Sequence, residues 1–320
     1  IALGEDSIYH PGLELKYTHD GRDPKLLTLI RGTEGTGRSP YFNSFHKIDM
    51  IFEALYWKVG SDVMKFGKLA GTTENKAFFE SEHYFSKNRY DQLTGMGTNP
   101  LPKIKSMVKK AGSRTFPAVE LASHMGKTVS ELKPTLYILN NLGLITYDAA
   151  KAEVTVKSRM YRWLGARAGR TDYDVITFSS EPEKGVDYNA ELSLLNYDMA
   201  MHGIKKVMLS RAQGTQVFPD GGELTLKKNR SFTFGGVILS GRTEIYGDEF
   251  SFDYEQFRLN LIETNWTRFY VMKKKQDDSG DPVAALQNQL EGVRGYIDID
   301  DPKNKSGKDT SFNAFPLMNC

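Results

Sequence analysis

The chain has 320 residues, 39% hydrophobic and 26% charged, with a formal net charge of +2 and a mean hydropathy of −0.46. That length supplies material for two or three domains with real cores, and the composition is that of an ordinary soluble globular protein. No apolar run is long enough to span a bilayer, no secretory leader is visible at Ile1, and the single cysteine, Cys320, excludes an internal disulfide.

Aromatic residues at 12% and 29 glycines favour β structure. In residues 1–98, Leu13, Leu15 and Tyr17 alternate with Glu14 and Lys16, the pattern of a half-buried strand, and Leu26 to Ile30 is a second strand. Gly32 to Ser39 then has the spacing of a phosphate-cradling loop, G-x-x-x-x-G-R-S. Arg38 replaces the usual lysine, and Pro40 disfavours the helix that should begin at Ser39, so a glycine-rich surface loop without a nucleotide is expected. Ile48 to Val59 fits either a helix or strands. Gly95, Gly97 and Pro100 mark a boundary.

Residues 99–168 change character. Thr115 is a candidate N-cap, with Ala118, Leu121, Ala122 and Met125 on one helical stripe ended by Gly126. Thr128 and Glu131 have capping-box spacing, but Pro134 then lies deep in the helix, so Ser130 is the expected cap. Val129, Leu132, Leu136, Leu139 and Leu142 form the buried face, and Gly143 ends the helix. Two short strands, Leu144 to Tyr147 and Glu153 to Lys157, follow. In this order of elements, residues 100–168 resemble a winged-helix module. They carry twelve Lys and Arg against four Asp and Glu, a local +8. Such a concentration is what phosphate contact requires. Lys103, Lys105, Lys109, Lys110 and Arg114 precede the helical pair, Lys157 ends the second strand, and Arg159 and Arg162 follow it; these are the candidate contacts for nucleic acid or a partner. The second helix itself offers Glu131, Lys133, Tyr137, Asn140 and Asn141, a poor start for reading bases from its N-terminus.

Residues 169–275 are dense in strand signals: Tyr173 to Phe178, Glu191 to Leu195, Lys206 to Ser210, Glu223 to Leu226, and the aromatic run from Phe232 to Leu261. Phe232, Phe234, Phe250, Phe252, Phe257, Leu259 and Leu261 alternate with Thr233, Ser251, Arg258 and Asn260, which places the first set in one core. Phe234, Phe252 and Tyr270 recur every 18 residues, a spacing compatible with a β-solenoid or with a sandwich of hairpins. In residues 276–320, after an exposed loop over Lys273 to Gly280, Pro282 to Leu290 reads as a short helix and Tyr296 to Ile299 as a strand. Asp298, Asp300 and Asp301 invite calcium or glycosidic chemistry, but they lack EF-hand spacing and sit among turn-forming residues. No two histidines have metal-ligand spacing. The stretches GVRGYIDIDDPKNKSG (Gly292 to Gly307) and FxFGGxIxxGxxxxYGxxFxFDYxxFxxxL (residues 231–261) resemble segments of large uncharacterised secreted or envelope proteins of Bacteroidota. That resemblance implies an envelope location and a large multidomain parent.

The expectation is a mainly β protein, solenoid-like or sandwich-like, with an inserted winged-helix-like module, acting as a non-catalytic structural or protein-interaction segment without cofactor or metal. Its expected partners are other envelope proteins or neighbouring domains of the same chain. A nucleic-acid-binding protein is the first alternative and a β-helical carbohydrate-active enzyme the second.

Overall fold

Short runs of β-branched and aromatic residues, punctuated by glycine, dominate the chain. In the computed structural model, which describes residues 1–19, 25–96, 98–273, 283–312 and 314–320, they form a mainly β protein with 42% strand and 20% helix, in open antiparallel sheets. A six-stranded sheet takes the order Ala2–Leu3, Asp6–Tyr9, Tyr41–Asn43, Ile48–Ile51, Ala77–Ser81, Thr177–Ser180. A 16-stranded sheet runs from Leu317–Asn319 through the long hairpins Phe232–Ser240, Thr243–Asp253 and Arg258–Met272 to Tyr188–Ser193, Val63–Gly67, Ala54–Lys58, Leu26–Arg31 and finally Leu13–Thr18. The β regions on either side of the basic segment therefore share one sheet, joined where Tyr188–Ser193 pairs with Val63–Gly67. They also share one core, which runs from Leu3 to Ile299.

The hairpins supply the centre of that core. Phe232 lies opposite Phe252 and Phe234 opposite Phe250, with ring centroids 5.1 and 5.3 Å apart. All seven residues expected inside are buried in this cluster, while Thr233, Ser251, Arg258 and Asn260 alternate with them at partial exposure. The 18-residue recurrence of Phe234 and Phe252 thus belongs to the two arms of an antiparallel hairpin.

The remaining residues build a helical segment with its own core, which begins at Phe85 and ends at Ala166. Its helices are α1 (Lys87–Gln92), α2 (Pro100–Ala111), α3 (Ala118–His124), α4 (Val129–Asn141) and α5 (Ser158–Arg167), with a three-stranded sheet ordered Thr115–Pro117, Glu153–Val156, Ile145–Asp148. Among the described residues, no helix is long and apolar enough to cross a membrane.

Several local expectations change. Thr115 is in a strand, and α3 starts only after Pro117; pairing of Thr115–Pro117 with Glu153–Val156 outweighs its capping preference. Thr128, rather than Ser130, caps α4 through a complete capping box with Glu131. Pro134 is tolerated inside the helix because it and Ser130, whose carbonyl loses its partner, are both exposed. Leu13–Thr18 is a strand but not half-buried: Leu15 is 63% and Tyr17 50% exposed, because no described residue covers that face at the end of the sheet. Ile48 to Val59 resolves into two strands, and Val283–Ala285 is a strand where a helix was expected, recruited by pairing with Arg258–Met272. Most of the loop expected over Lys273 to Gly280 lies outside the described residues, as does Pro282.

Candidate functional site at the junction of the two cores

The charges of the helical segment divide into two groups. Lys103, Lys105, Lys109 and Lys110 lie on the exposed side of α2, and Arg114, also exposed, stacks on Tyr161 at 5.2 Å. Lys157, Arg159 and Arg162 instead turn toward the six-stranded sheet. Arg159, only 4% exposed, pairs with Asp49 and with Glu80 Oε1 at 2.9 Å. Arg162 donates to Glu82 Oε1 at 2.5 Å, and the Lys157 ammonium lies 4.3 Å from the Phe42 ring centroid. Of the expected contact set, then, Arg159 is withdrawn from solvent and Arg162 is engaged by Glu82. The physical reason is position: α5 begins directly after the strand Glu153–Val156, so its first turns face the carboxylates of Ile48–Ile51 and Ala77–Ser81.

Burial drives the electrostatics of this seam. It pushes the Asp49 carboxyl up to about 6 despite Arg159. Burial also opposes the charge on Arg159, but Asp49 and Glu80 more than offset it and raise its pKa. At Glu82 burial is again outweighed, here by Arg162, which holds the carboxyl below its ordinary value. At pH 7 the seam is therefore a buried ionic cluster.

A second contact joins α4 to the glycine-rich loop. Asn140 Nδ2 donates to Ser39 Oγ at 2.9 Å, and Ser39 Oγ donates to Asn141 Oδ1 at 2.8 Å. Asn141 Nδ2 reaches the Gly35 carbonyl at 3.3 Å, while Asn140 Oδ1 accepts the Tyr147 amide at 2.9 Å. The loop is a 3-10 turn, Gly35–Arg38, that passes into the strand Tyr41–Asn43. Its glycines have packing reasons: a Cβ on Gly37 would sit 3.0 Å from the Gly32 Cα, and Gly35, at φ +52, faces the Tyr137 ring. Below the loop, the Ser39 carbonyl accepts from Arg31 Nε and from His10 Nε2, each at 2.8 Å.

Two clefts flank the ionic seam. One, of about 340 Å³, is lined by Tyr9, Phe42, Asp49, Glu82, Arg114 and Lys157 among others. The other, of about 430 Å³, includes Arg31, Arg38, Asp49, Phe78, Glu80 and Arg89. The first combines aromatic walls with two carboxylates, the ingredients of a sugar site, but Asp49 and Glu82 are each tied to an arginine.

Sequence reasoning missed a third polar cluster, buried within the β body. Asp174, fully buried, accepts from Ser81 Oγ at 2.6 Å and from the Tyr254 hydroxyl at 2.8 Å. Arg230 lies 3.8 Å away and stacks on the Tyr254 ring at 3.6 Å. These residues are too far apart in sequence for any local motif to have revealed them. The three C-terminal aspartates do not converge on one site. Asp298 pairs with Arg258 at 2.6 Å, Asp301 caps the amide of Lys303 at 2.8 Å, and Asp300 is buried with Gln213 and Asn304 as donors at 2.6 and 3.0 Å.

Fold and junction together define a mainly β protein carrying a firmly docked helical segment. Compared with known proteins, the chain matches no family model, and neither a curated protein nor a solved structure is significantly similar to it.

Proposed function

We propose that this chain is a non-catalytic structural and protein-interaction segment of a larger cell-envelope protein, in which residues 100–168 form a winged helix used as a fixed building block. The partners in this reading are other envelope proteins or neighbouring domains of the same parent. The helix–strand–helix–helix–strand–strand order of α2 to Glu153–Val156 supports the winged-helix assignment. Antiparallel hairpin pairing favours a sandwich-like body over stacked solenoid coils. The envelope setting rests on the sequence resemblance.

One observation carries the non-catalytic interaction reading. In a winged helix that reads DNA, the second helix of the pair enters the major groove. Here α4 presents Asn140 and Asn141 to Ser39 and Gly35 of the sheet body, so the side chains best suited to bidentate base contact are already bonded within the chain. The ion-paired state of Asp49 and Glu82 argues in the same direction against the carbohydrate-active alternative.

The nucleic-acid alternative retains the exposed lysines of α2, which suit phosphate contact but carry no sequence information. Fluorescence anisotropy with duplex DNA tests the proposal. Binding should be weak, indifferent to sequence, and steeply reduced by added salt. A footprint on one defined sequence that persists at physiological salt would overturn it.

A further inference from the structure

The end of the large sheet at Leu13–Thr18 is built differently from every other sheet end among the described residues. Those are strands of two to four residues, one of them carrying Pro117. Leu13–Thr18 has six residues, no proline and no bulge, and it pairs on one side only, with Leu26–Arg31. Long edges without a bulge or a proline are templates for adding a strand.

Its backbone polarity follows from its neighbour. The Arg31 amide donates to Glu53, and the Lys25 carbonyl accepts from Val59. By alternation, Leu27 and Leu29 also turn their backbone groups toward Ala54–Lys58, and Leu26, Thr28 and Ile30 turn theirs toward Leu13–Thr18. Those three lie opposite Thr18, Lys16 and Glu14. The amides and carbonyls of Leu13, Leu15 and Tyr17 therefore face the open edge.

We propose that this edge is a homodimer interface, in which Leu13–Tyr17 pairs antiparallel with the same strand of a second copy about a twofold axis at Leu15. In that register Leu15 meets the partner's Leu15, and Leu13 meets the partner's Tyr17, at positions whose backbone groups already point outward. Glu14 then falls opposite the partner's Lys16, and Lys16 opposite the partner's Glu14. These are the non-hydrogen-bonded positions, where facing Cα atoms are only about 4.5 Å apart and side chains interact most strongly. A lone lysine would blunt an edge, but Glu-x-Lys is complementary to its own antiparallel copy. Shifting the register by one residue would lose both the charge match and the hydrogen-bond polarity.

The apolar face agrees. Leu15 lies opposite Leu29, itself opposite Leu55, and Tyr17 opposite Leu27, itself opposite Trp57. These ladders run out from the core into solvent at Leu15 and Tyr17, which are 63% and 50% exposed. Cross-strand partners share a face, so the twofold would continue the leucine ladder into the partner and cover both residues.

This inference rests on the interaction reading only for its biological setting, and the DNA titration can fail without touching it. Sedimentation of the 320-residue chain over a concentration series should show a monomer–dimer equilibrium. Glu14→Lys alone faces lysine with lysine, and Lys16→Glu alone faces glutamate with glutamate; each should weaken self-association by about tenfold or more, roughly 1.4 kcal/mol. An equimolar mixture of the two variants should recover a heterodimer, visible by native mass spectrometry, because every facing pair is again opposite in sign. Leu15→Pro should give a monomer with unchanged circular dichroism, since only an outward-facing amide is lost. A wild-type chain that stays monomeric throughout, or a dimer that survives the single charge reversals, would overturn the proposal.

Discussion

The hairpins of residues 232–261 bury phenylalanine against phenylalanine, whereas the seam between the helical segment and the sheet buries arginine against aspartate and glutamate. Apolar burial is non-directional and contributes stability in proportion to area. An ionic cluster costs desolvation and returns little net stability, but its geometry admits one arrangement. Arg159 bridges Asp49 of one strand and Glu80 of another, and Asn140 ties Ser39 to the Tyr147 amide. The body is held by volume and the module by register. That difference accounts for a helical segment whose α4 points its last two asparagines into its own protein.

Mutations can break the comparison from either side. Phe252→Ala should cost about 3–5 kcal/mol, and Phe250→Ala a similar amount, because both empty a buried aromatic site. A loss under about 1 kcal/mol in chemical denaturation would mean that the hairpin core is not what holds the body. Arg159→Ala should cost about 3 kcal/mol by leaving Asp49 and Glu80 buried without a cation. Replacing all three with apolar residues of similar size should recover most of that loss, and a triple variant as unstable as the single one would show that packing, not charge, is at stake.

Acid should expose a smaller contribution, centred on His46. Asn43 Oδ1 accepts the amides of Phe45 and His46, so its Nδ2 must donate to His46 Nδ1 at 2.8 Å, which keeps this buried ring neutral. Burial lowers His46 to about 4, and burial likewise lowers His10 and His83 to about 4. Each has a folded pKa below its unfolded value near 6.5. As the pH falls from 6.5 toward 4, the unfolded chain takes up protons that the native state refuses, and stability drops. Asp49, raised to about 6, and Asp174, whose carboxyl burial also raises, act in the opposite direction, but two carboxyls do not cancel three imidazoles. Urea titrations between pH 7 and 5 should show falling stability, with a slope reduced in His46→Gln by up to about 1.4 kcal/mol per pH unit; an unchanged slope would contradict the neutral assignment. Below these in size, Thr128→Ala should cost about 1 kcal/mol by removing the capping box of α4. Lys65→Ala, which breaks the exposed Lys65–Glu191 pair, should cost about 0–1 kcal/mol.

Much of the body was legible in the sequence. Alternation with period two at Phe250, Phe252, Leu259 and Leu261 is a local signal, and the buried set agrees with it. The helical pair and its two strands were legible for the same reason, to within a residue or two. Burial of Leu15 and Tyr17 was not, because alternation reports that a strand has two faces and not whether anything covers them. The junction was also illegible. Arg159 is 110 residues from Asp49, and Asn141 is 102 from Ser39, so charge counting placed Arg159 on a surface that tertiary packing removed. Local composition can show that a segment is basic, but not which of its cations already has a partner.

Unfolding of Arg159→Ala followed by two probes tests the seam most directly. Trp163 lies in the helical core and donates to the Tyr84 carbonyl at 3.2 Å, so with Trp57→Phe and Trp266→Phe its fluorescence reports the module, while far-ultraviolet circular dichroism reports mainly the sheets. With Arg159 present the two transitions should coincide. In Arg159→Ala the Trp163 transition should move to lower denaturant, ahead of the sheet signal. If both transitions instead stayed coincident at the original midpoint, the ionic seam would not be what fixes the module to the body.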